Sequence, residues 1–175
     1  MRGMAAGASF ARGAEAESLV ASLLASLPHL VVLNDRGGAG RGNIDHLAVG
    51  RGRLWMIETK SRRSAPSDAT IAGWASAAVE RTRRVREQLR SAGQWSVGVV
   101  PVVVVVGPAR CPQEETPHTY GQADAVCRRV LVTTPPSLMR LLIRQPAPDA
   151  AFAALVSGLF PPRGRASARG LGVLS

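Results

Sequence analysis

Asn43-Ile44-Asp45-His46-Leu47-Ala48-Val49-Gly50-Arg51-Gly52-Arg53-Leu54-Trp55-Met56-Ile57-Glu58-Thr59-Lys60 is the stretch on which the fold turns. Two strand-forming runs, Asn43 to Val49 and Arg53 to Lys60, flank Gly50-Arg51-Gly52, a hairpin signal. With Arg51-Gly52 as a two-residue loop, Gly50 faces Arg53, Val49 faces Leu54 and Asp45 faces Glu58. Opposed residues in an antiparallel pair hold their Cβ atoms about 4.5–5.5 Å apart on one face. Period two adds Asn43 and Lys60 to that face and continues it toward the turn through Leu47, Val49, Leu54 and Met56. An apolar face therefore ends in Asp, Glu, Lys and Asn at the open end of the hairpin. A three-residue loop would shift the register by one and make Asp45 and Glu58 diagonal.

Two carboxylates this close repel unless a proton or a cation lies between them. A hard divalent ion suits oxygen ligands, and Mg²⁺ typically takes one or two carboxylates together with water and phosphate oxygens. A lysine beside such an ion can orient an attacking water or offset charge developing on a phosphate. Arginine, bulky, planar and permanently charged, is a poor substitute. The spacing is equally that of an ordinary salt-bridged hairpin end, and by itself it does not choose between the two.

The composition sharpens the choice. Among the 175 residues, 22 Lys+Arg stand against 12 Asp+Glu, for a net charge of +10 at pH 7. Of the 22, 21 are Arg, and the single Lys is Lys60. The excess suits a polyanionic partner such as nucleic acid, although an Ala/Arg/Gly-rich chain can also reflect a GC-rich coding sequence. A lone ammonium is harder to ascribe to composition. The longest apolar run, Val97 to Val106, contains Gly98 and Pro101 and falls short of the ~20 residues a membrane span requires. Met1 to Ala14 lacks the apolar core of a signal peptide, so the expected location is the cytoplasm. Cys111, His118 and Cys127 have no Cys-x-x-Cys pair or fourth ligand to make a zinc site. With 4% aromatic residues, a base-stacking platform is disfavoured.

Outward from the hairpin, Ala14 to Leu27 reads as a helix with Leu19, Val20, Leu23, Leu24 and Leu27 at helical spacing. Leu30 to Leu33 reads as a short strand and Asn34 to Gly42 as a loop. After the hairpin come a helix from Ser67 to Ser91, a buried strand over Val97 to Val106 and a loop over Ala109 to Asp124. A strand at Arg129 to Thr133 and helices at Pro135 to Leu142 and Asp149 to Leu159 follow. A helix between strands in mid-chain implies an α/β sandwich with a mixed sheet. The expected organisation is a flexible N-terminus over 1–12, one domain over 13–160 and a basic, disordered tail over 161–175.

Gly13-Ala14-Glu15-Ala16-Glu17 opening a helix, then Asn43-Ile44-Asp45-His46-Leu47-Ala48-Val49-Gly50 and Trp55-Met56-Ile57-Glu58-Thr59-Lys60, resembles the nuclease-related domain (NERD) family. That family belongs to the PD-(D/E)xK, restriction-endonuclease-like superfamily. The resemblance covers about residues 12–60 well and extends more loosely through the valine-rich strand and the Val130–Arg144 unit. It implies an α/β fold with a central mixed sheet flanked by helices, and a Mg²⁺- or Mn²⁺-dependent DNA nuclease. Asp45 and Glu58 would be metal ligands, Glu17 the first-helix acid of the same cluster and Lys60 the catalytic lysine. Periodicity alone does not distinguish Glu17 from Glu15. Ala16 stands where the family usually has Gly, and the Ser61–Ser67 connection is shorter than the family's. Related nucleases carry a Gln on the following helix that faces the site, which makes Gln88 the candidate here.

For the substrate backbone, Arg62 and Arg63 directly follow Lys60, and Arg36 and Arg41 flank the Gly-rich loop before Asp45. That loop has no Gly-Lys-Ser/Thr and is not a P-loop. Arg81, Arg83, Arg84, Arg86 and Arg90 form no single stripe, and Glu80 and Glu87 offer them salt-bridge partners. Arg163, Arg165 and Arg169 would add nonspecific affinity. His46 alternates to the face opposite Asp45 and is expected to be a hydrogen-bonded structural histidine. The expectation is a metal-dependent deoxyribonuclease with DNA as partner, no membrane, and room for a homodimer because a double-strand break needs two sites. A noncatalytic DNA-binding module on the same fold and a scaffold with a merely compositional Arg excess are the competing classes.

Overall fold

The computed structural model describes residues 3–37, 43–107 and 130–163. Its centre is a five-stranded sheet in the order β1-β2-β3-β4-β5. β1 (Val31–Gly37), β2 (Asn43–Gly50) and β3 (Arg53–Ser61) form an antiparallel meander. β4 (Gly98–Val106) and β5 (Leu131–Thr133) continue it parallel to β3. Helix α2 (Asp68–Ser91) supplies the crossover that a parallel β3–β4 pair needs.

The hairpin has the expected register. Gly50 pairs with Arg53, Val49 with Leu54 and His46 with Ile57. Gly52, at φ +64°, takes the left-handed position of the two-residue turn, where a glycine has no Cβ to clash. The apolar alternation then sorts the two faces. Leu47, Val49, Leu54, Met56, Val103 and Val105 pack beneath α2 and α4 (Ala150–Leu159). Ala48, Trp55, Ile57, Val102 and Val104 pack beneath α1 (Gly3–Ala25) and α3 (Pro135–Leu142). Because both faces of β4 are covered, it reads as a nearly continuous valine run instead of an alternating one. Pro101 lies outside the Val102–Val104 stretch paired to β5, so its missing N–H falls where β4 has one neighbouring strand. The result is a mixed sheet between two helical layers, the α/β architecture expected and consistent with a restriction-endonuclease-like fold.

Ser67 and Asp149 cap α2 and α4, their side chains accepting from the N–H groups of Thr70 and Phe152. Ile71, Ala75, Ala78, Thr82, Val85 and Leu89 form the inward stripe of α2.

Three boundaries differ from the sequence-based expectation. Helix α1 begins at Gly3, well ahead of Ala14, so most of the segment expected to be a flexible N-terminus is helical. Alanine at positions 5, 6, 8 and 11 supplies helix propensity that Gly7 and Gly13 do not cancel. Strand β1 runs on to Gly37 through what reads as a loop, because Arg36 and Gly37 pair with Ile44 and Asn43. The tail expected from Pro161 onward is also tied down at its start. Gly37 N–H donates to Pro161 O at 2.9 Å, Pro162 bridges to Arg36, and Arg163 N–H donates to Asp35 O at 3.1 Å. Arg41 and the Cys111, His118 and Cys127 positions lie outside the described residues. Among the described residues, no helix is long and apolar enough to cross a membrane.

Candidate active site

The regular β2–β3 pairing runs as far as His46–Ile57, and the site lies just past it. There the Asp45 Oδ2 accepts from the Thr59 backbone N–H at 2.8 Å, which fixes the carboxylate at the open end of the hairpin. Glu58 is buried to 2% exposure beside it. A cleft of about 630 Å³ opens over this end of the sheet, and Glu17, Asn43, Asp45, Glu58, Lys60 and Arg81 are among its lining residues. Helix α1 therefore brings Glu17 to the two strand carboxylates, and the four residues singled out as catalytic share one cleft.

The charges within it are strongly coupled. Glu58 Oε2 receives the Arg81 guanidinium and, at 3.5 Å, the Lys60 ammonium. Burial, then the Asp45 charge, hold the Glu58 carboxyl above its ordinary range, and outweigh the opposing pull of Arg81 and Lys60. Burial likewise raises Asp45 against the Thr59 hydrogen bond and the Lys60 and Arg81 charges. Glu17 is raised by burial, then by Asp45 and Asp35. All three carboxyls are pushed toward the protonated form, chiefly because burial penalises their charge, with neighbouring carboxylates adding to the effect.

Glu58 Oε1 is buried and has no hydrogen-bond partner among the described residues. A buried, unsatisfied carboxylate oxygen is costly, and either a proton or a cation would relieve that cost. No three His, Cys, Asp or Glu side chains among the described residues converge into a ready-made metal cage. Glu17 thus stands beside the Asp45–Glu58 pair without completing a three-carboxylate cage. Two carboxylates are enough for Mg²⁺, which keeps several waters, and the oxygen-only donor set suits it. The residues fit a hard divalent ion.

A polar relay running inward to buried His46 and Thr59 supports the pair from behind. His46, on the opposite face of β2 from Asp45, makes contacts of 2.9 Å to Asn34 Oδ1 and 3.2 Å to Thr59 Oγ1. Asn34 Oδ1 only accepts, so His46 Nδ1–H donates to it and His46 Nε2 accepts from the Thr59 hydroxyl. Burial lowers the His46 pKa to about 4, against a partial opposing pull from Glu58. His46 is a neutral cross-strand tie between β1, β2 and β3 beside the acids.

A family model for the nuclease-related domain matches residues 12–106, more than half of the chain. The chain belongs to the nuclease-related domain family. The matched span holds Glu17, Asp45, Glu58, Lys60 and Arg81, and the PD-(D/E)xK superfamily assignment is consistent with it. No curated protein and no solved structure gives a significant match to the chain.

Other expected contacts of this NERD domain fall elsewhere. Gln88 does not face the cleft: its Nε2 donates to Leu159 O at 2.6 Å, anchoring α2 to the end of α4. Arg36 is half-buried and donates to Phe160 O at 3.3 Å, so its guanidinium holds the C-terminal segment. Arg62 and Arg63 are exposed at the end of β3 and line a separate, smaller notch. On the outer face of α2, Glu80 pairs with Arg83 at 3.6 Å and Arg84 at 3.1 Å, the salt-bridged surface that the charge pattern allows.

Arg81, Asp35 and Arg163 bear on the site in ways that local spacing does not show. Arg81 flanks the Ala78–Thr82 part of the inward stripe, and only the packing of α2 on the sheet shows that this flank meets Glu58. Asp35 lay in a presumed loop. It adopts φ +44°, which aspartate tolerates better than most residues, and its Oδ1 accepts from Asn43 Nδ2 at 3.1 Å. Arg163 belonged to the presumed tail, yet it lines the cleft.

Proposed function

We propose that this NERD protein is a metal-dependent deoxyribonuclease that hydrolyses phosphodiester bonds. The observation that carries the reading is the buried Glu58 carboxylate, with one oxygen on Arg81 and Lys60 and the other unpartnered, next to Asp45 at the floor of an open cleft. A merely structural salt bridge has no use for an unsatisfied buried oxygen beside a second raised-pKa carboxyl.

Asp45 and Glu58 would hold Mg²⁺ or Mn²⁺, with Glu17 joining through water. When bound, the ion supplies positive charge to the phosphate and lowers the pKa of water. Lys60, about one-third exposed, reaches from Glu58 into the cleft, where it holds the attacking water and offsets charge on the phosphate oxygens. The water oxygen bonds to phosphorus as the bond to the leaving sugar oxygen breaks; the water's proton passes to solvent in the open cleft, and the sugar oxygen takes a proton from solvent. Arg81 pairs with Glu58 Oε2 and so leaves Oε1 as the oxygen free to meet the ion.

The test is nicking of supercoiled plasmid with Mg²⁺ or Mn²⁺. Lys60→Ala and Asp45→Ala should abolish nicking while circular dichroism and the melting transition remain those of a folded protein. Nicking at the wild-type rate by purified Lys60→Ala would overturn the mechanism. DNA binding unchanged by EDTA, with no cleavage of any DNA form, would identify the chain as a noncatalytic DNA-binding module.

A further inference from the structure

Beside the cleft lies a second cavity of about 250 Å³, lined by Arg12, Ser61, Arg62, Arg63 and Ser64. Among the described residues its lining has three arginines and two serines and no carboxylate, the donor set that a phosphate calls for. We propose that this notch is a second phosphate-binding site, which takes the backbone phosphate neighbouring the one in the cleft. The proposal rests on the nuclease reading above and adds to it a residue, Arg12, that nothing in the sequence pattern singled out.

Its position argues for a neighbouring phosphate. On α1, Arg12 of the notch is followed by Gly13 of the cleft. On β3, Ser61 of the notch follows Lys60 of the cleft. One strand residue advances about 3.3 Å, so the two cavities adjoin along the path a DNA strand would follow. The cleft carries the acids, and the described lining of the notch carries only basic and hydroxyl side chains.

Its construction argues for a preformed site. The Arg62 guanidinium lies over the Trp74 ring of α2, 4.9 Å from the centroid, which fixes the plane of the fork and leaves its edge available to phosphate oxygens. The Arg62 backbone N–H donates to Val106 O at 2.9 Å. At the next peptide group, a Cβ on Gly107 would collide with Arg62 O, so only glycine permits this approach. Arg62 is therefore held at backbone and side chain alike, on the end of a central strand.

The experiment measures binding of full-length protein to a fluorescent single-stranded oligonucleotide in EDTA across a salt series. It compares wild type with Arg12→Ala, Arg62→Ala and, as a same-charge control at the exposed end of α3, Arg144→Ala. Each notch variant should bind more weakly at every salt concentration and should lower the slope of log K against log salt by about 0.7. The control should leave the slope unchanged. As a readout independent of DNA, titration with inorganic phosphate should shift the arginine Nε–H resonances of Arg12, Arg62 and Arg63 in wild type, with loss of the Arg12 and Arg63 shifts in Arg62→Ala. Unchanged slopes in both notch variants, with wild type still cleaving DNA, would overturn the second site and leave the nuclease reading standing. A wild type that neither binds nor cleaves DNA with any divalent ion would overturn both.

Discussion

The buried His46 makes a quantitative prediction about acid stability. An unfolded histidine titrates near 6.5, whereas burial holds His46 at about 4 in the folded chain. Its folded-state pKa is depressed, so the unfolded state binds the proton first. The stability contributed by the neutral imidazole is fully present above pH 6.5 and is lost as pH falls from there toward 4. At about 1.36 kcal/mol per pKa unit, the gap corresponds to a loss of about 3 kcal/mol by pH 4. That is a large fraction of the ~5–15 kcal/mol that stabilises an ordinary domain. Urea unfolding of wild type and His46→Gln between pH 8 and pH 4 isolates the effect, since the variant lacks the titrating group while every other group remains. The stability difference between the two should fall by about 3 kcal/mol across that range, and the imidazole resonance of His46 should titrate far below 6.5. A wild-type-minus-variant difference that is flat with pH, or a His46 that titrates at 6.5, would refute the assignment of His46 as a desolvated cross-strand tie.

Three further outcomes follow from the site and its supports. Asp45 has a folded-state pKa above its unfolded value, so the protonated carboxyl stabilises at low pH and that contribution is lost as pH rises through the folded pKa. Asp45→Asn, whose amide oxygen can still accept from Thr59 N–H, should melt at least as high as wild type at pH 8, with the advantage shrinking toward pH 4. Millimolar Mn²⁺ should raise the melting temperature of wild type, EDTA should reverse the rise, and Asp45→Ala should show none, because an ion that binds only the folded state stabilises it by mass action. Gly107→Ala should cost about 1–3 kcal/mol in urea melts, because its Cβ would collide with Arg62 O at a residue held at φ +155°.

Asp45, Glu58 and Lys60 were legible because β-structure is local in its geometry. A two-residue turn and a side-chain period of two suffice to put them at one end of one hairpin. The valine run of β4 and the starts of α2 and α4 near Ser67 and Asp149 were legible for the same reason, since each is decided within a few residues. Gln88 and Arg36 were misplaced because their roles depend on where α4 and the segment after it end. Gln88 reaches Leu159 O and Arg36 reaches Phe160 O, partners more than seventy positions away.

By itself, then, the sequence pointed to the hairpin, the α/β class and the lone ammonium near two carboxylates, while the choice between a two- and a three-residue turn was made by the Gly50–Arg53 pairing. It could not say which of Glu15 and Glu17 turns toward that ammonium, because both lie on one helix and the choice is made by how α1 packs on the sheet. Nor could it separate Arg81 from Arg83 and Arg84, which differ by a rotation about the α2 axis and meet opposite environments: buried Glu58 for the first, surface Glu80 for the others. Local spacing sets which side chains share a strand face. The docking angle of each helix, set by burial of its apolar stripe, decides which charge enters the cleft and which stays in water.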